Sequence, residues 1–237
     1  MTAPRTPAAR GWFVTGTDTG VGKTRASVAL LRALRARHAR CVGMKPVAAG
    51  TEPAPDGGER ENEDVLALRA AGTVRVAAAL DNPVRLHDAM SPHLAARRAG
   101  RTIEIEPLVA AYRALAAQAD AVVVEGAGGF LVPLSDTLTG ADLAEALGLP
   151  VILVVGLRLG CLNHALLTRD AIRQRGLPLA GWIVSRLDPA MLEQDSNVDY
   201  LRRQIDAPLL ADWPWQPEVD PGTLLLQLPP EPGLDAA

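Results

Sequence analysis

The chain has 237 residues, 48% hydrophobic and 22% charged, with a formal net charge of −3. That balance suits one large α/β domain or two small ones with a real core, and it lacks the basic footprint that nucleic acid or an anionic membrane would require. The longest apolar run, around Leu149–Val155, is too short to span a bilayer, and Cys41 and Cys161 form neither a disulfide framework nor a zinc spacing, so a reducing cytoplasm is the expected setting.

Residues 1–10 carry no apolar stretch of signal-peptide length and read as a disordered lead-in, and residues 11–237 read as a single domain without internal repeat or linker. Gly11–Thr15 (GWFVT) reads as a short buried strand. The glycine-rich run Gly16–Thr24 (GTDTGVGKT) follows, then a helix over about Lys23–His38 with apolar Val28, Leu31 and Leu34. Arg40–Met44 reads as a second strand, and Gly50–Glu61, rich in Pro, Gly and acid, as a mobile loop. Asn62 can cap a helix running to about Ala71. Residues 73–106 read as irregular, with turn signals at Asn82-Pro83 and Ser91-Pro92. Pro107–Gln118 reads as a helix, Ala121–Val124 as a central strand, Leu138–Leu147 as a helix and Pro150–Val155 as another buried strand. Helix Asn163–Gln174, strand Ala180–Val184, helix Ser196–Ile205 and a short edge strand at Pro208–Ala211 follow, and the tail from Pro214 is proline-rich and loop-like. Such alternation predicts a parallel sheet with helices on both faces and right-handed crossovers. Its site is expected beyond the carboxyl ends of the strands.

The chemistry-bearing residues fall at those ends. In Gly16–Thr24 successive backbone N–H groups can turn inward, and the following helix start adds partial positive charge, which together make an anion nest. Lys23 is placed to reach β- and γ-phosphates, and the Thr24 hydroxyl to ligate Mg²⁺. Five residues separate Gly16 from Gly22, one more than the usual template. Lys23 and Lys45 are the only lysines among 24 Lys+Arg, two point charges on thin stems in a chain that otherwise uses the guanidinium fork. Lys45, just past the second strand, can stabilise charge on a transferring phosphoryl group; its plain alternative is a surface lysine. Glu125 ends an apolar strand (VVVEGAGG) and can hold Mg²⁺, the alternative being a solvated strand-end acid; Gly126, Gly128 and Gly129 allow close ligand approach. Asp64, at a helix start, joins the site only through a shared Mg²⁺, with Glu61 and Glu63 as rivals. The four histidines form no ligand spacing, and no nucleophile elbow or Cys–His pair occurs. No Asn-Lys-x-Asp motif of a GTPase occurs either.

In order and spacing, GTDTGVGKT, MKPVAAGTE, VVVEGAGGFLVPLSD and PVILVVGLRLGCLNHALLT resemble the dethiobiotin synthetase family, from Trp12 to about Trp215. The resemblance implies a single-domain α/β fold of P-loop NTPase type. It implies an ATP- and Mg²⁺-dependent closure of 7,8-diaminononanoate with CO₂, through a carbamate and a carbamic–phosphoric anhydride, releasing ADP and phosphate. It implies a homodimer with sites near the subunit interface. By motif, Gly20, Val21, Gly22, Lys23, Thr24 and Arg25 would surround the phosphates, and Thr24, Asp64 and Glu125 would hold Mg²⁺. Lys45 and Lys23 would be the catalytic cations; Thr19, Lys45, Ala49, Gly126 and Asn163 would face substrate. Glu125 to Gly128, with Ala127 between, would also line the cosubstrate, and Ser185, Arg186, Pro214, Trp215 and Gln216 would lie toward the adenine. Two positions depart from the family pattern. Ala49 stands where members often carry a small hydroxyl residue, so its backbone N–H or nearby Thr51 has to compensate. Ser185-Arg186 stands where an Asn commonly meets the adenine, which predicts a relaxed choice of nucleoside triphosphate. An amide ligase of the cobyrinate type needs a glutaminase domain for which this length has no room. Partner-positioning switch ATPases usually carry an extra lysine early in the loop, where this chain has Gly16, Thr17 and Asp18.

Overall fold

The computed structural model describes residues 10–53, 60–216 and 219–230. In chain order, β1 (Arg10–Gly16) leads through the glycine-rich loop to α1 (Lys23–Leu34), β2 (Cys41–Met44), β3 (Val47–Ala49), α2 (Glu63–Ala71), α3 (Ala78–Asp81), β4 (Val84–Leu86), α4 (Pro92–Arg98) and α5 (Ile105–Ala116). Then come β5 (Ala121–Glu125), α6 (Gly140–Leu147), β6 (Val151–Leu157), α7 (Cys161–Gln174), β7 (Leu179–Arg186), α8 (Gln194–Gln204) and β8 (Leu209–Trp213). Six strands form one parallel sheet in the order β2-β5-β1-β6-β7-β8, and β3 pairs with β4 in a separate two-stranded parallel ribbon. Among the described residues no helix is long and apolar enough to cross a membrane.

The alternation, the parallel pairing and the edge position of β8 match the sequence expectation. Residues 73–106 do not: they hold α3, β4, α4 and the start of α5. The first three of these are only three to seven residues long, too short for a period to register. β4 and α4 are organised by a small separate core of Val47, Leu86, Ala95, Ile103, Leu108, Leu134 and Leu143, drawn from distant parts of the chain, while α3 packs Leu80 against the main core and is held by Arg69 through Asp81. Helix α1 stops at Leu34 rather than His38 because Arg35, Ala36 and Arg37 are exposed and bring no apolar side to the sheet. Of the lead-in, residues 1–9 lie outside the described residues, and Arg10 already belongs to β1. Residues 54–59 of the expected mobile loop and residues 217–218 and 231–237 of the tail also lie outside them. The tail expected to be loop-like contains a short 3-10 turn at Pro221–Thr223, and Leu224, Leu226 and Leu228 pack against the α1 side of the sheet.

Strand parity sorts the core into two layers, because successive side chains point to opposite faces. Phe13, Val42, Met44, Val122 and Val124 join the layer covered by α5 to α8. Trp12, Val14, Cys41, Ala121 and Val123 join the layer under α1 and α2. Stepping by two from Val123 puts Glu125 on the α1–α2 side. β2 pairs β5 with Cys41 opposite Ala121 and Gly43 opposite Val123. One further step in that register sets Lys45 beside Glu125, on the same side. Parity and register thus bring the two charges together at the carboxyl edge before any side-chain preference acts.

Gly43 makes the close approach of the α1–α2 layer possible. A Cβ there would lie 2.8 Å from Leu68 Cβ and 3.1 Å from Leu31 Cδ1, so α2, the helix carrying Asp64, would have to back away. Gly43→Ala is expected to cost about 1–3 kcal/mol of stability, measured as a lower denaturation midpoint in urea at unchanged m-value; an unchanged midpoint would show that α2 yields freely.

Candidate active site

The loop from β1 to α1 contains Gly20 at φ 72° and Gly22 at φ 94°. Gly22 caps α1, and its left-handed φ penalises any side chain. Val21 between them is buried beneath the loop. The Thr17 N–H donates to the Val154 carbonyl at 2.9 Å, and Thr17 Oγ1 accepts from the Gly156 N–H at 3.2 Å, which stitches the loop to β6. Asp18 in the loop pairs with Arg158. Lys23, only 7% exposed, donates from Nζ to the Asp18 carbonyl at 2.8 Å. Burial, reinforced by the charge of Lys45, draws its pKa down from 10.5 to about 8.

Lys45 is the centre of the constellation. Its Nζ donates to Glu125 Oε1 at 2.6 Å, to Asp64 Oδ2 at 2.8 Å and to the Gly126 carbonyl at 3.3 Å. Burial opposes the ammonium, but the Glu125 and Asp64 carboxylates outweigh it, and the pKa of Lys45 is raised. Burial likewise pushes Asp64 up, while the charge of Lys45 and hydrogen bonds from Lys45 and Thr24 bring it below the ordinary carboxylate value. Thr24 Oγ1 lies 2.6 Å from Asp64 Oδ1 and 3.0 Å from Glu125 Oε1. One hydroxyl, two carboxylates and one ammonium from α1, α2, β5 and the end of β2 therefore meet at a single point. Asp64 is the carboxylate that arrives there; Glu61 instead pairs with Arg69, and Glu63 lies on the cleft wall.

That point opens into a cleft of about 690 Å³, within the usual range for small-ligand sites. Thr19, Gly20, Gly22, Lys23, Thr24 and Arg25 line one side, Lys45, Ala49, Asn62 and Asp64 another, and Glu125, Ala127 and Gly128 the floor. A wall of Ala89, Met90, Ser91 and Pro92 closes the third side. Only a turn signal, at Ser91-Pro92, marks this wall in the sequence; neighbouring His93 pairs through Nδ1 with Ser91 Oγ at 2.8 Å. Asn62 does more than cap: its Oδ1 accepts from the Asp64 N–H at 3.1 Å and its Nδ2 donates to the Gly50 carbonyl at 2.8 Å, tying the end of β3 to the start of α2.

Thr24, Asp64 and Glu125 could hold a divalent cation. Glu125 Oε2 is buried without a protein partner, an acceptor aimed at something the chain itself does not supply. A hydroxyl with two carboxylates is a hard, incomplete oxygen set. Among the described residues no group of three or more His, Cys, Asp or Glu forms a fuller cage. Such a partial set suits Mg²⁺, which keeps waters and takes substrate phosphates as further ligands.

Other expected residues stand apart from the cleft. Ser185 is the next-to-last residue of β7, with its buried Oγ unpartnered and facing Gly22. Arg186 is committed to Asp212 by two bonds of 2.9 Å and to Asp195 by one of 2.7 Å. Pro214, Trp215 and Gln216 are exposed just past β8, and Asn163 is exposed on the first turn of α7. Thr51 is buried, and its Oγ1 accepts from Arg60 Nε at 3.3 Å.

Comparison with known proteins gives the same picture at family level. A family model described as an AAA domain matches residues 10–223. The ATP-dependent dethiobiotin synthetase BioD of Ralstonia nicotianae is 60% identical over 209 residues, covering 88% of this chain and 90% of the relative. That of Aromatoleum aromaticum is 51% identical over 228 residues, covering 96% and 98%. Among solved structures, the septum site-determining protein MinD of Pyrococcus horikoshii, complexed with Mg-ADP, superposes with a TM-score of 0.55 at 16% identity over 88% of this chain and 82% of that one. A putative plasmid partition protein of Borrelia burgdorferi, bound to AMPPNP, reaches 0.56 at 11% identity, over 90% of each. At such identities the structural likeness speaks for the fold alone.

The lowered pKa of Lys23 has a measurable consequence. Between about 8 and 10.5 the folded protein has released a proton that the unfolded chain keeps, so this group makes stability rise with pH across that window. An anionic ligand on Lys23 favours the charged form and restores the proton. ATP binding at about pH 8.5 is therefore expected to take up a fraction of a proton, seen calorimetrically as different apparent enthalpies in Tris and HEPES. Equal enthalpies would show that Lys23 stays charged in the free protein.

Proposed function

The chain belongs to the dethiobiotin synthetase family of ATP-dependent ligases, and from that premise we propose that it closes a ureido ring on 7,8-diaminononanoate using CO₂ and ATP, in a homodimer and with Mg²⁺. The observation that carries this reading is the buried Lys45 ammonium held between Glu125 and Asp64 at the mouth of the phosphate loop.

The chemical obstacle is repulsion between a carbamate and a triphosphate. The N–H groups around Gly20 and Gly22, the start of α1 and Lys23 would hold the β- and γ-phosphates. Mg²⁺ on Thr24, Asp64 and Glu125 would neutralise charge on those phosphate oxygens. Lys45 would sit over the γ-phosphate and the carbamate, stabilising charge as it moves between them. One substrate amine adds to CO₂ and loses a proton, which gives the carbamate. The carbamate oxygen attacks the γ-phosphorus as the bond to the bridging oxygen of ADP breaks. The second amine then attacks the carbamoyl carbon, expels phosphate and loses its proton. Ala49, with Ala127 and Gly128, would shape the wall along the diamine chain. Asn163 and Leu167, four apart and exposed on one face of α7, beside Leu159 at 92% exposure, support a subunit contact through which Asn163 would reach the neighbouring site.

The base end is less constrained. Arg186 is already engaged by two carboxylates, and Ser185 turns to Gly22. Arg186 is then committed elsewhere, and the unpartnered Ser185 Oγ is buried against Gly22 rather than presented to a base. Comparable turnover with GTP and ATP is the expected outcome, and strict ATP dependence in a steady-state assay would refute it.

ADP release measured with diaminononanoate and bicarbonate, singly and together, tests the ligase reading. Release that requires both is expected; release indifferent to both would point to a switch ATPase. Lys45→Ala should keep ATP affinity, measured by titration, while kcat falls by about 10²–10³; near-normal turnover would remove Lys45 from the chemistry.

A further inference from the structure

β2 is an edge strand, so Lys45, one residue beyond it, has no strand on its outer side. Its backbone is nevertheless gripped from that side. The Lys45 N–H donates to the Asp81 carbonyl at 2.8 Å, and the Lys45 carbonyl accepts from Asn82 Nδ2 at 2.6 Å. The next link continues the pattern, since the Val84 N–H donates to the Pro46 carbonyl at 3.1 Å. The turn after α3 thus takes the place of a neighbouring strand, with a side-chain amide supplying one rung of the ladder. Asn82 is 1% exposed and Asp81 3% exposed, so water does not compete for these bonds.

The turn is itself clamped. Arg69 of α2 grips Asp81 with both prongs of its fork, Nε to Oδ2 at 2.7 Å and a terminal nitrogen to Oδ1 at 2.8 Å. Its other terminal nitrogen holds both oxygens of Glu61 at 2.9 Å. Asp64 lies on the same helix as Arg69, slightly more than one turn earlier. One rigid connection therefore runs from Asp64 along α2 to Arg69, across to Asp81, through Asn82 and into the backbone of Lys45. It returns to Asp64 through the ammonium. The loop of contacts closes on the two groups whose separation matters for charge stabilisation.

We propose that Asn82 is a positioning residue for Lys45, and that the Arg69–Asp81 ion pair fixes Asn82 in turn, so that the Lys45 ammonium and the Asp64 carboxylate share one frame. The proposal rests on the role given to Lys45 above. Neither Asn82 nor Arg69 touches a reactant. Their effect passes through the place at which the Lys45 stem leaves the backbone, and a small misplacement there is amplified because charge stabilisation depends on preorganised donors.

Asn82→Ala removes the amide rung. Its kcat should fall about tenfold to hundredfold with the KM for ATP within about threefold. A structural reporter independent of the reaction is available because Lys23 and Lys45 are the only lysines. Lysine labelled at its ε-carbon gives one NMR resonance from each. In Asn82→Ala the Lys45 resonance should shift or broaden while that of Lys23 stays. Arg69→Lys keeps the charge and loses the fork, and should show the same split at smaller size, about threefold to tenfold in kcat. This variant carries the test if Asn82→Ala does not fold. An unchanged kcat overturns the proposal, as does a lower kcat with an unmoved Lys45 resonance. A parallel loss in kcat, KM and both lysine signals overturns it too, since that is general loosening. If wild-type ADP release proves independent of diamine and bicarbonate, the ligase reading fails, and the lysine resonances still decide whether Asn82 positions Lys45.

Discussion

The structure depends on one buried ammonium. Lys45 is 5% exposed and Glu125 is fully buried, 2.6 Å apart, with Asp64 completing the cluster. Taking such charges out of water costs several kcal/mol per ion, and their attraction often does no better than offset it. A pair of this kind is a poor way to stabilise a sheet edge, where apolar side chains would serve as well. Its retention makes sense if the charge is needed. Once present it constrains everything nearby, since an unpaired partner in that position is far more costly than the pair. β5 must end in a carboxylate on the α1–α2 side, α2 must begin where Asp64 can reach, and α1 must start with Thr24 facing both.

The architecture meets those demands with few devices. Parallel pairing fixes Lys45 beside Glu125 by register alone. Gly43 allows α2 to lie close enough for Asp64 to arrive. Asn62 ties the first turn of α2 to the end of β3 by bonding the Asp64 N–H and the Gly50 carbonyl. The glycine-rich loop, stitched to β6 through Thr17, supplies the anion-facing donors without moving any of these parts. Site and scaffold are thus the same set of contacts at the carboxyl edge.

Much of this was legible in the sequence, for definite reasons. GTDTGVGKT sets glycines and a Lys-Thr pair between a strand and a helix start, as a phosphate nest needs, and VVVEGAGG carries its charge at the end of an apolar strand. Lys45 stood out because lysine is rare here. The β3–β4 ribbon and α4 were not legible, because their stability comes from a small core assembled from distant segments, and α3 was not, because its single turn is held by Leu80 on the main core and by the Asp81–Arg69 pair rather than by local periodicity. Asp64 could not be ranked above Glu61 and Glu63 from composition. What separates them is position: Glu61 precedes the Asn62 cap, bridges Glu52 and pairs with Arg69, while helix phase turns Asp64 to Lys45. Asn82 read as a turn residue beside a proline, and its use as a rung on an edge strand depends on a contact across 37 residues.

The scarcity of lysine acquires a physical meaning from the contacts of the arginines. Arg69 with Asp81, Arg186 with Asp212 and Arg175 with Asp142 are structural clamps, two of them forked on a single carboxylate. A guanidinium suits that work because it is planar, always charged and geometrically demanding. At the reaction centre the demand differs. In the proposed reaction negative charge would move from carbamate to phosphate and away, and a cation there would have to follow it on a narrow stem within a buried space. Lys23, with its pKa drawn to about 8, can also adjust its protonation to the ligand it meets, which arginine cannot do. The paired arginines thus hold fixed geometry, Lys23 carries a charge that can respond and Lys45 one that is held in place, and both lysines stand where the anions would meet.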